Sequence, residues 1–360
     1  MVVLDDEHSI GRFSRYARRA LHVATIVDDG RTADILLDTA QNLGLDGWVL
    51  YPTRDATVAA LSRKRELLQS SFRVPTPGWE SVRYAWDKRE TYDLAAELGI
   101  ATPRTSYPRD PDDLDAVEGD GPFVVKPAIT ARFRQVTKAK AWRAENRTEL
   151  KALLDRAAEL VGPGEVIVQD VIPGGGRNQL AYCAFFKDGE AVASMVARRL
   201  RQHPSDFGRA STHVETADVP MLEELSERFL RAVDYYGLVE VEYKLDERDG
   251  QYRLLDFNAR TWGYHGLGRL AGVDFPYLLF LDQVGESAPR SRARPGVVWT
   301  RLLTDVPTAV LEIARGRLGF AEYLRSLART DGEAVFSSRD PLPGLAEIAL
   351  IPYLTVKRGF

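Results

Sequence analysis

Acidic and amide side chains recur at alternate positions in two apolar segments near the middle of the chain. Glu240, Glu242 and Lys244 alternate with apolar residues in the first segment. Asp256 and Asn258 stand two positions apart in the second. Side chains of a β-strand alternate between its two faces, so each set shares one face of its strand. Carboxylate and amide oxygens are the ligands that Mg²⁺ prefers. The pattern predicts a magnesium site on one face of a hairpin.

The pairing of the two segments is left open by the sequence. A short Asp-Gly turn joins them, but one register puts Glu240 opposite Asp256 and a shifted one puts Glu242 there. Arg260 follows on the same alternation as Asp256, where a guanidinium could hold an anionic intermediate beside the metal. Paired acidic strands also occur as solvated surfaces with ordinary ion pairs, so the hairpin alone does not establish a site.

Three lysines occupy positions from which they could contact phosphate groups. Lys126 ends an apolar strand and would project from a rigid element, while Lys88 lies at the start of a predicted helix. Lys140 belongs to a polar segment, residues 131–142, that could close over phosphates. The segment contains no glycine and so does not predict a backbone phosphate cradle. A lone lysine is usually a surface charge, and only the set indicates an anion site.

A strand exit offers a possible site for a heterocyclic base. Gln169, Asp170 and Ile172 end an apolar strand directly before Pro173 and three glycines. Backbone donors and acceptors at such an exit can bind the edge of an adenine while apolar neighbours cover the ring. The same sequence is also typical of a strand followed by a flexible turn.

Three regions carry these residues. Residues 1–84 alternate between short strands and amphipathic helices, which is typical of a small parallel α/β domain, and Phe72–Gly78 reads as a linker at its end. Residues 85–290 predict a mixed α+β region with antiparallel hairpins and a hinge near 169–176. Residues 291–360 carry weak helical patterns and predict a small helical extension, for which the sequence indicates no role.

Composition excludes several classes of protein. A net charge of -4 over 360 residues provides no broad cationic field for nucleic acid. The single cysteine, Cys183, lies in an apolar run, which excludes a disulfide framework and predicts a buried thiol. No signal peptide and no apolar run of membrane-spanning length are present, so we expect a cytoplasmic protein without a membrane span.

Five motifs together resemble those of the ATP-grasp enzymes in order and spacing. They are Asp87–Pro103, Phe123–Pro127, Val168–Gly174, Val239–Lys244 and Leu255–Arg260. The resemblance covers roughly residues 1 to 285, and the combination is far more specific than any one motif. Biotin carboxylase, carbamoyl-phosphate synthetase, D-aspartate ligase and D-alanine ligase share this architecture. The segment Arg198–Gly208 resembles the predicted ATP-dependent carboligases, which are close to the D-aspartate-ligase-like carboxylate–amine ligases.

The resemblance implies a fold and a cofactor set. It implies an ATP-grasp fold preceded by a Rossmann-like domain, although family members usually have a further strand and a glycine-rich turn before Val2. Either the start site is misplaced or the domain is shortened. A shortened domain would leave an exposed sheet edge, which could favour a homodimer. ATP and Mg²⁺ are the implied cofactors, and small-molecule carboxylates and amines are the implied partners.

The resemblance also implies a role for each candidate residue. Residues expected to bind ATP, through phosphate contacts or at the adenine hinge, are Lys88, Lys126, Lys140, Gln169, Asp170 and Ile172. Residues expected to bind magnesium are Glu242, Asp256 and Asn258, with Glu242 favoured over Glu240 by the family pattern. Arg260 would stabilise an acyl-phosphate and the tetrahedral intermediate that follows, and Lys126 would assist phosphoryl transfer.

The implied reaction phosphorylates a carboxylate, after which an amine displaces phosphate. A bicarbonate-activating carboxylase like biotin carboxylase and a non-catalytic ATP-binding regulatory module are alternatives. A dinucleotide-dependent oxidoreductase is disfavoured, because no Gly-x-Gly-x-x-Gly follows a strand.

Some positions depart from the family pattern or lack a clear role. Position 256 is aspartate where glutamate is commoner, and the glycine-rich phosphate loop after Lys126 is missing, although Lys138 and Lys140 could partly replace it. Arg199, Arg201 and Gln202 precede a loop that could bind a carboxylate, and His265 is a possible base, although such a histidine is more often structural.

Overall fold

The computed structural model describes residues 1–23, 28–129, 137, 139–204, 208 and 210–358. In chain order the strands are β1 (Val2–Asp5), β2 (Arg19–His22), β3 (Trp48–Val49), β4 (Phe72–Arg73), β5 (Thr105–Ser106), β6 (Phe123–Pro127), β7 (Trp142–Ala144), β8 (Val166–Asp170), β9 (Gln179–Lys187), β10 (Glu190–His203), β11 (Ala210–Ala217), β12 (Gly237–Asp246), β13 (Gln251–Asn258), β14 (Ser291–Arg292), β15 (Val298–Thr300) and β16 (Gly332–Glu333).

The α-helices of the same residues are α1 (Asp29–Leu43), α2 (Asp55–Arg63), α3 (Arg65–Leu68), α4 (Trp79–Trp86), α5 (Lys88–Glu97), α6 (Arg147–Val161), α7 (Pro220–Ala232), α8 (Gly266–Leu270), α9 (Phe275–Gln283), α10 (Leu302–Ala314), α11 (Phe320–Ala328), α12 (Leu342–Ala349) and α13 (Ile351–Arg358). The result is the mixed α/β class that the sequence predicted. Within the parts of the chain described here, no helix combines the length and apolar character needed to cross a bilayer.

An eight-stranded sheet forms the centre of the molecule, in the order β13-β12-β9-β10-β11-β15-β16, with β14 paired to β10. Both predicted hairpins, β9–β10 and β12–β13, are confirmed. The turn between β9 and β10 has positive φ at Asp188 (54°) and Gly189 (77°), the left-handed pair that a tight hairpin turn requires.

Both faces of this sheet are covered, because β9 is apolar at nearly every position. Tyr182 and Phe186 pack into the cluster that includes Phe229 of α7, while Cys183 and Phe185 face the opposite cluster with Phe275 of α9. A strand buried on both faces reads as a continuous apolar run, which is what the sequence has here. Cys183 is a buried free thiol, as predicted.

A second, four-stranded sheet has the order β5-β8-β6-β7 and is covered by α6. Helix α5 and the segment that leads from it into β5 contact the large sheet at β13: the Leu254 amide donates to the Ala101 carbonyl (2.8 Å), and the Tyr92 hydroxyl of α5 donates to the Leu255 carbonyl (2.7 Å). The ends of β6, β8, β12 and β13 are thereby held along one cleft, and these are the strands that carry the candidate residues.

The N-terminal region contains two separate parallel strand pairs, β1–β2 and β3–β4, packed with α1 and α2 around a small core. The interpretation of Phe72–Gly78 as a linker is wrong at its start, because Phe72 and Arg73 form β4 and pair with β3. Gly237 at the start of β12 has φ of 116°, and a Cβ there would lie 2.8 Å from the Pro75 carbonyl oxygen. The close approach requires glycine.

The C-terminal region is more than the helical extension that the sequence predicted. Its strands β14, β15 and β16 all join the large sheet, with β15 antiparallel to β11 and β16 parallel to β15. Helix α10 turns a polar side inward, where Asp305 is 0% exposed and receives two hydrogen bonds of 2.8 Å from the Arg201 guanidinium. This pair connects the C-terminal region to β10.

Candidate active site

The sequence left the register of the β12–β13 hairpin undetermined, and the structure defines it. Glu242 stands directly opposite Asp256, and Glu240 stands opposite Asn258. Directly opposed residues of antiparallel strands point to the same face, so these four side chains form one polar group. The structure therefore brings together the three predicted magnesium ligands, with Glu240 beside them.

Cations surround the two opposed carboxylates. Lys88 Nζ donates a hydrogen bond to Asp256, while Lys140 Nζ lies 3.9 Å and Arg199 Nη2 3.6 Å from Glu242 Oε2. Burial alone would raise the pKa of Asp256, but Lys88 and Lys140 lower that pKa to about 2. The pKa of Glu242 is likewise lowered, since Lys140 and Arg199 outweigh the effect of burial. Both carboxylates are held in the charged form that binds a cation.

The pKa of Glu240 is shifted in the opposite direction from those of Glu242 and Asp256. Burial, followed by the nearby charge of Glu242, raises its pKa to about 7. Its two oxygens accept hydrogen bonds from the Tyr264 hydroxyl (2.6 Å) and from Asn258 Nδ2 (3.2 Å). Tyr264 was missed as a site residue. It lies next to His265, where the motif after Arg260 continues, and an aromatic residue there gave no sign of a polar role.

The donor set fits magnesium bound together with phosphate rather than by protein alone. Among the described residues, no group of three His, Cys, Asp or Glu side chains is arranged to hold a metal ion. Glu242 and Asp256 supply two carboxylates and Asn258 an amide oxygen, which leaves other positions for phosphate oxygens and water, as Mg²⁺ usually has. The residues present therefore fit the ion.

A first cavity of about 130 Å³ opens beside these carboxylates, between the two sheets. The predicted nucleotide and metal residues that line it are Lys88, Lys126, Lys140, Gln169, Asp170, Ile172, Glu242 and Asp256. Its apolar lining comes from Pro103, Val124, Ala141, Val171, Ile172 and Leu255. Lysines and carboxylates at one part and apolar side chains at another suit a ligand with a charged and a flat apolar portion.

Lys126 lies in the floor of this cavity. Its Nζ donates a 2.7 Å hydrogen bond to the Tyr92 hydroxyl. Burial, and then the nearby charge of Lys88, lower the pKa of Lys126 to about 7. An anion in the cavity would favour its charged form.

The strand exit is more fully occupied by protein contacts than the sequence suggested. Gln169 Nε2 donates to the Thr105 hydroxyl (2.7 Å), and the Asp170 carboxylate pairs with Arg104 (2.8 Å). Lys244, which the sequence placed on the acidic face without a role, donates to the Ile172 carbonyl (2.8 Å). These contacts fix the strand exit against β5 and β12, and the Asp170 and Val171 amides also donate to the Arg104 and Pro122 carbonyls. The apolar side chains of Val171 and Ile172 line the cavity.

A second cavity of about 190 Å³ lies on the other side of the carboxylates. Both cavities share the lining residues Lys88, Lys140, Gly208, Glu242 and Asp256. The side chains that line only the second cavity include Asp55, Trp86, Arg199, Glu240, Asn258, Arg260, Tyr264, Trp299 and Arg301. The two predicted site residues absent from the first cavity, Asn258 and Arg260, thus line the second.

Arg260 is held in place from the N-terminal region. Its Nε donates to Asp55 Oδ1 at the start of α2 (2.5 Å), and its Nη2 donates to Asn258 Oδ1 (3.2 Å). A guanidinium fixed by two acceptors costs little further ordering when it binds an anion, which suits a residue that stabilises a developing charge.

The remaining candidates separate into those that reach the site and those that do not. Arg199 reaches it, but Arg201 points to Asp305, with a register irregularity of β10 between the two residues. His265 lies outside both cavity linings, and its Nδ1 donates to the Trp262 carbonyl (3.1 Å). Most of residues 131–142, predicted to close over phosphates, fall outside the described residues, and Lys138 is among them. Lys140 is described and lines both cavities.

Sequence comparison finds a relative for most of the chain. No family model matches it. D-aspartate ligase of Enterococcus faecium (strain Aus0004) is 25% identical over 247 residues, which make up 66% of this chain and 59% of that enzyme. The chain therefore matches less than two thirds of the length of this relative.

Solved structures give a fold likeness over a larger part of the chain. The biotin carboxylase domain of Hydrogenobacter thermophilus 2-oxoglutarate carboxylase, in complex with MgADP, ADP and bicarbonate, has a TM-score of 0.61 at 15% identity, covering 78% of this chain and 64% of that one. The L-amino acid ligase from Bacillus licheniformis has a TM-score of 0.57 at 16% identity, covering 78% and 68%. At these identities the likeness is one of fold.

Proposed function

Because this chain has the ATP-grasp fold, we propose that it is an ATP-dependent carboxylate–amine ligase. One observation carries the proposal: two cavities meet at a common wall formed by Lys88, Lys140, Glu242 and Asp256. A nucleotide in the first cavity and an acid in the second would bring the γ-phosphate and the carboxylate together at that wall.

The nucleotide would lie with its adenine against the apolar lining near Ile172 and its phosphates near the lysines. Lys88, Lys126 and Lys140 line this cavity together with Lys244, which is bound to the Ile172 carbonyl. Lys88 and Lys126 already contact acidic or phenolic oxygens that a phosphate could replace. Glu242, Asp256 and Asn258 would hold Mg²⁺. When bound, the ion would neutralise phosphate charge and align the transferring group.

The chemistry proceeds in two balanced steps. A carboxylate oxygen attacks the γ-phosphorus and ADP leaves, giving an acyl-phosphate. The amine nitrogen then attacks the acyl carbon, phosphate leaves, and the amine loses a proton. Arg260, held by Asp55 and Asn258, would stabilise the anionic oxygens of the acyl-phosphate and of the tetrahedral intermediate.

The direct test is a screen of phosphate release from ATP over pairs of acids and amines. Release that needs both an acid and an amine supports the ligase, and a product joined through a new C–N bond identifies the pair. Asp256→Asn is the control for an authentic site. ATP binding with no release for any pair would instead favour a regulatory module.

A second candidate is a bicarbonate-activating carboxylase. It is favoured by the fold likeness to a biotin carboxylase domain that binds MgADP and bicarbonate. ATP turnover that depends on bicarbonate and needs no amine would support this reaction and reject the ligase.

Several finer features stay predictions. They are the division into residues 1–84, 85–290 and 291–360, the Rossmann-like character of the first region, a homodimer and a cytoplasmic location. Two parallel strand pairs support the Rossmann-like assignment. Sedimentation of the full chain tests the homodimer.

A further inference from the structure

The C-terminal region, to which the sequence assigned no role, contributes side chains to the second cavity. Trp299 and Arg301 both line it, 39 or more positions beyond Arg260 in the chain. Trp299 lies in β15, which pairs with β11, and Arg301 directly follows that strand, with its amide donating to the Thr212 carbonyl (2.8 Å). Residues two apart along an extended chain share a face, so both side chains point toward the cavity.

A buried acidic residue fixes the Arg301 guanidinium from behind. Arg301 Nη2 donates to Glu347 Oε1, and Glu347 of α12 is 1% exposed and absent from the cavity lining. The Arg301 side chain itself remains 25% exposed. One side of the guanidinium is thus bound to protein while another side opens to the cavity, and guanidinium has further N–H donors to offer.

The other cations of the cavity already have acidic partners within it or beside it. Arg260 pairs with Asp55, and Lys88 pairs with Asp256. Arg199 and Lys140 both lie near Glu242. Arg301 differs because its partner stands outside the cavity and orients it, while the cavity side of Arg301 is open. An oriented arginine on a cavity wall is suited to bidentate recognition of a carboxylate or phosphate.

We propose that Arg301 binds a second anionic group of a substrate, at a point remote from the group that reacts near Glu242, Asp256 and Arg260. The inference rests on the proposed ligase function and adds the substrate class: one of the two substrates is an acid or amine that carries an additional carboxylate or phosphate. Arg301 is a specificity-determining residue, and Glu347 is a positioning residue that acts through it.

The test uses probes that differ only in the remote group. Succinate and succinamate are the acid pair, and β-alanine and β-alaninamide are the amine pair, together with matched carboxylate and amide forms of any compound that supports phosphate release. Arg301→Gln should raise KM for the carboxylate form by about 10-fold to about 100-fold while kcat changes little, because it removes a charge-assisted bond made equally before and during reaction. Arg301→Lys should recover part of the affinity.

Two further variants separate substrate binding from a structural role. Glu347→Gln keeps a side-chain oxygen that can accept from Arg301, so it should leave the preference for the carboxylate form largely intact. Arg325→Gln, which replaces an exposed arginine of the same region, should leave KM unchanged. Equal losses in Arg301→Gln and Glu347→Gln for carboxylate and amide probes alike would mean that the ion pair is only structural, and would overturn the proposal.

A separate measurement distinguishes failure of the proposed ligase function from failure of the proposed anion site. If no pair of acid and amine releases phosphate, binding of succinate and succinamate in the presence of MgADP is measured by titration calorimetry. Tighter binding of succinate that Arg301→Gln abolishes supports the anion site without ligase activity. Absence of any Arg301-dependent difference between carboxylate and amide probes overturns it.

Discussion

Lys88 donates a hydrogen bond to the carboxylate of Asp256, although the two residues lie 168 positions apart and belong to a helix and a strand. The contact joins α5 to β13 at the wall shared by both cavities. It also means that a predicted phosphate ligand and a predicted metal ligand neutralise each other when no ligand is bound. When nucleotide and metal bind, Lys88 would pair with phosphate and Asp256 with Mg²⁺, in place of their pair with each other.

Asp256→Asn should reduce magnesium-dependent ATP turnover by about 100-fold or more, because the amide retains the shape but loses the charge that would bind the ion. Steady-state phosphate release over a magnesium series measures it. Asp249→Asn, in the turn of the same hairpin, is the matched control and should retain activity. Unchanged turnover in Asp256→Asn would reject the metal assignment.

Glu240 and Glu242 should respond differently to the same substitution. Glu242 is held charged, so Glu242→Gln should weaken magnesium activation at every pH. The pKa of Glu240 is raised to about 7, so the carboxyl is mostly protonated at pH 6 and mostly charged at pH 8.5. Glu240→Gln should therefore resemble the wild type at about pH 6 and fall below it at about pH 8.5. The magnesium activation constant at both pH values checks this, and equal effects of the two variants at pH 6 would contradict it.

Nucleotide binding should take up a proton at Lys126. Burial and Lys88 lower the pKa of Lys126 to about 7, so the amine is largely neutral at about pH 8, and a phosphate beside it favours the charged form. Affinity should then fall as pH rises from about 6.5 to about 8.5. Calorimetry of ADP in buffers of different ionisation enthalpy measures the uptake. Lys126→Met removes proton uptake at this lysine but leaves any uptake by ADP itself. Identical proton uptake in the variant and the wild type would therefore exclude Lys126 as the group that takes up the proton.

The buried pair between Arg201 and Asp305 should dominate the stability of the C-terminal region. Asp305→Ala leaves a guanidinium that is only 13% exposed without its partner and should cost about 3–5 kcal/mol in the free energy of unfolding. Urea unfolding measures the loss. Glu224→Ala breaks an exposed helical pair with Arg228 and should cost less than about 1 kcal/mol. Similar losses of unfolding free energy in the two variants would show that burial does not increase the contribution of the Arg201–Asp305 pair to stability.

Local sequence patterns predicted the features that depend on neighbouring residues. The alternation at Glu240–Lys244 and the Asp-Gly turn were sufficient for the hairpin, because strand period and turn type are local properties. They were not sufficient for its register, which depends on how β12 also pairs with β9. The resemblance favoured Glu242, and the structure puts that residue opposite Asp256.

The other side of the second cavity was beyond prediction for a physical reason. Trp299 and Arg301 reach it only because β15 pairs with β11, a contact between segments about eighty residues apart whose short strands carry little periodic signal. Asp55, which holds Arg260, comes from a third region. Such convergence depends on tertiary packing, and sequence spacing contains no record of it.

Two ion pairs of the C-terminal region have a thermodynamic consequence. Arg201 with Asp305 joins α10 to β10, while Arg301 with Glu347 joins the end of β15 to α12, and Arg301 also lines the second cavity. A ligand that contacts both Arg260 and Arg301 would add a third tie, so its affinity and the resistance of residues 302–349 to local opening must rise together by linkage. Slower amide hydrogen exchange in α10 and α12 would then report that the second cavity is occupied, although neither helix lines it.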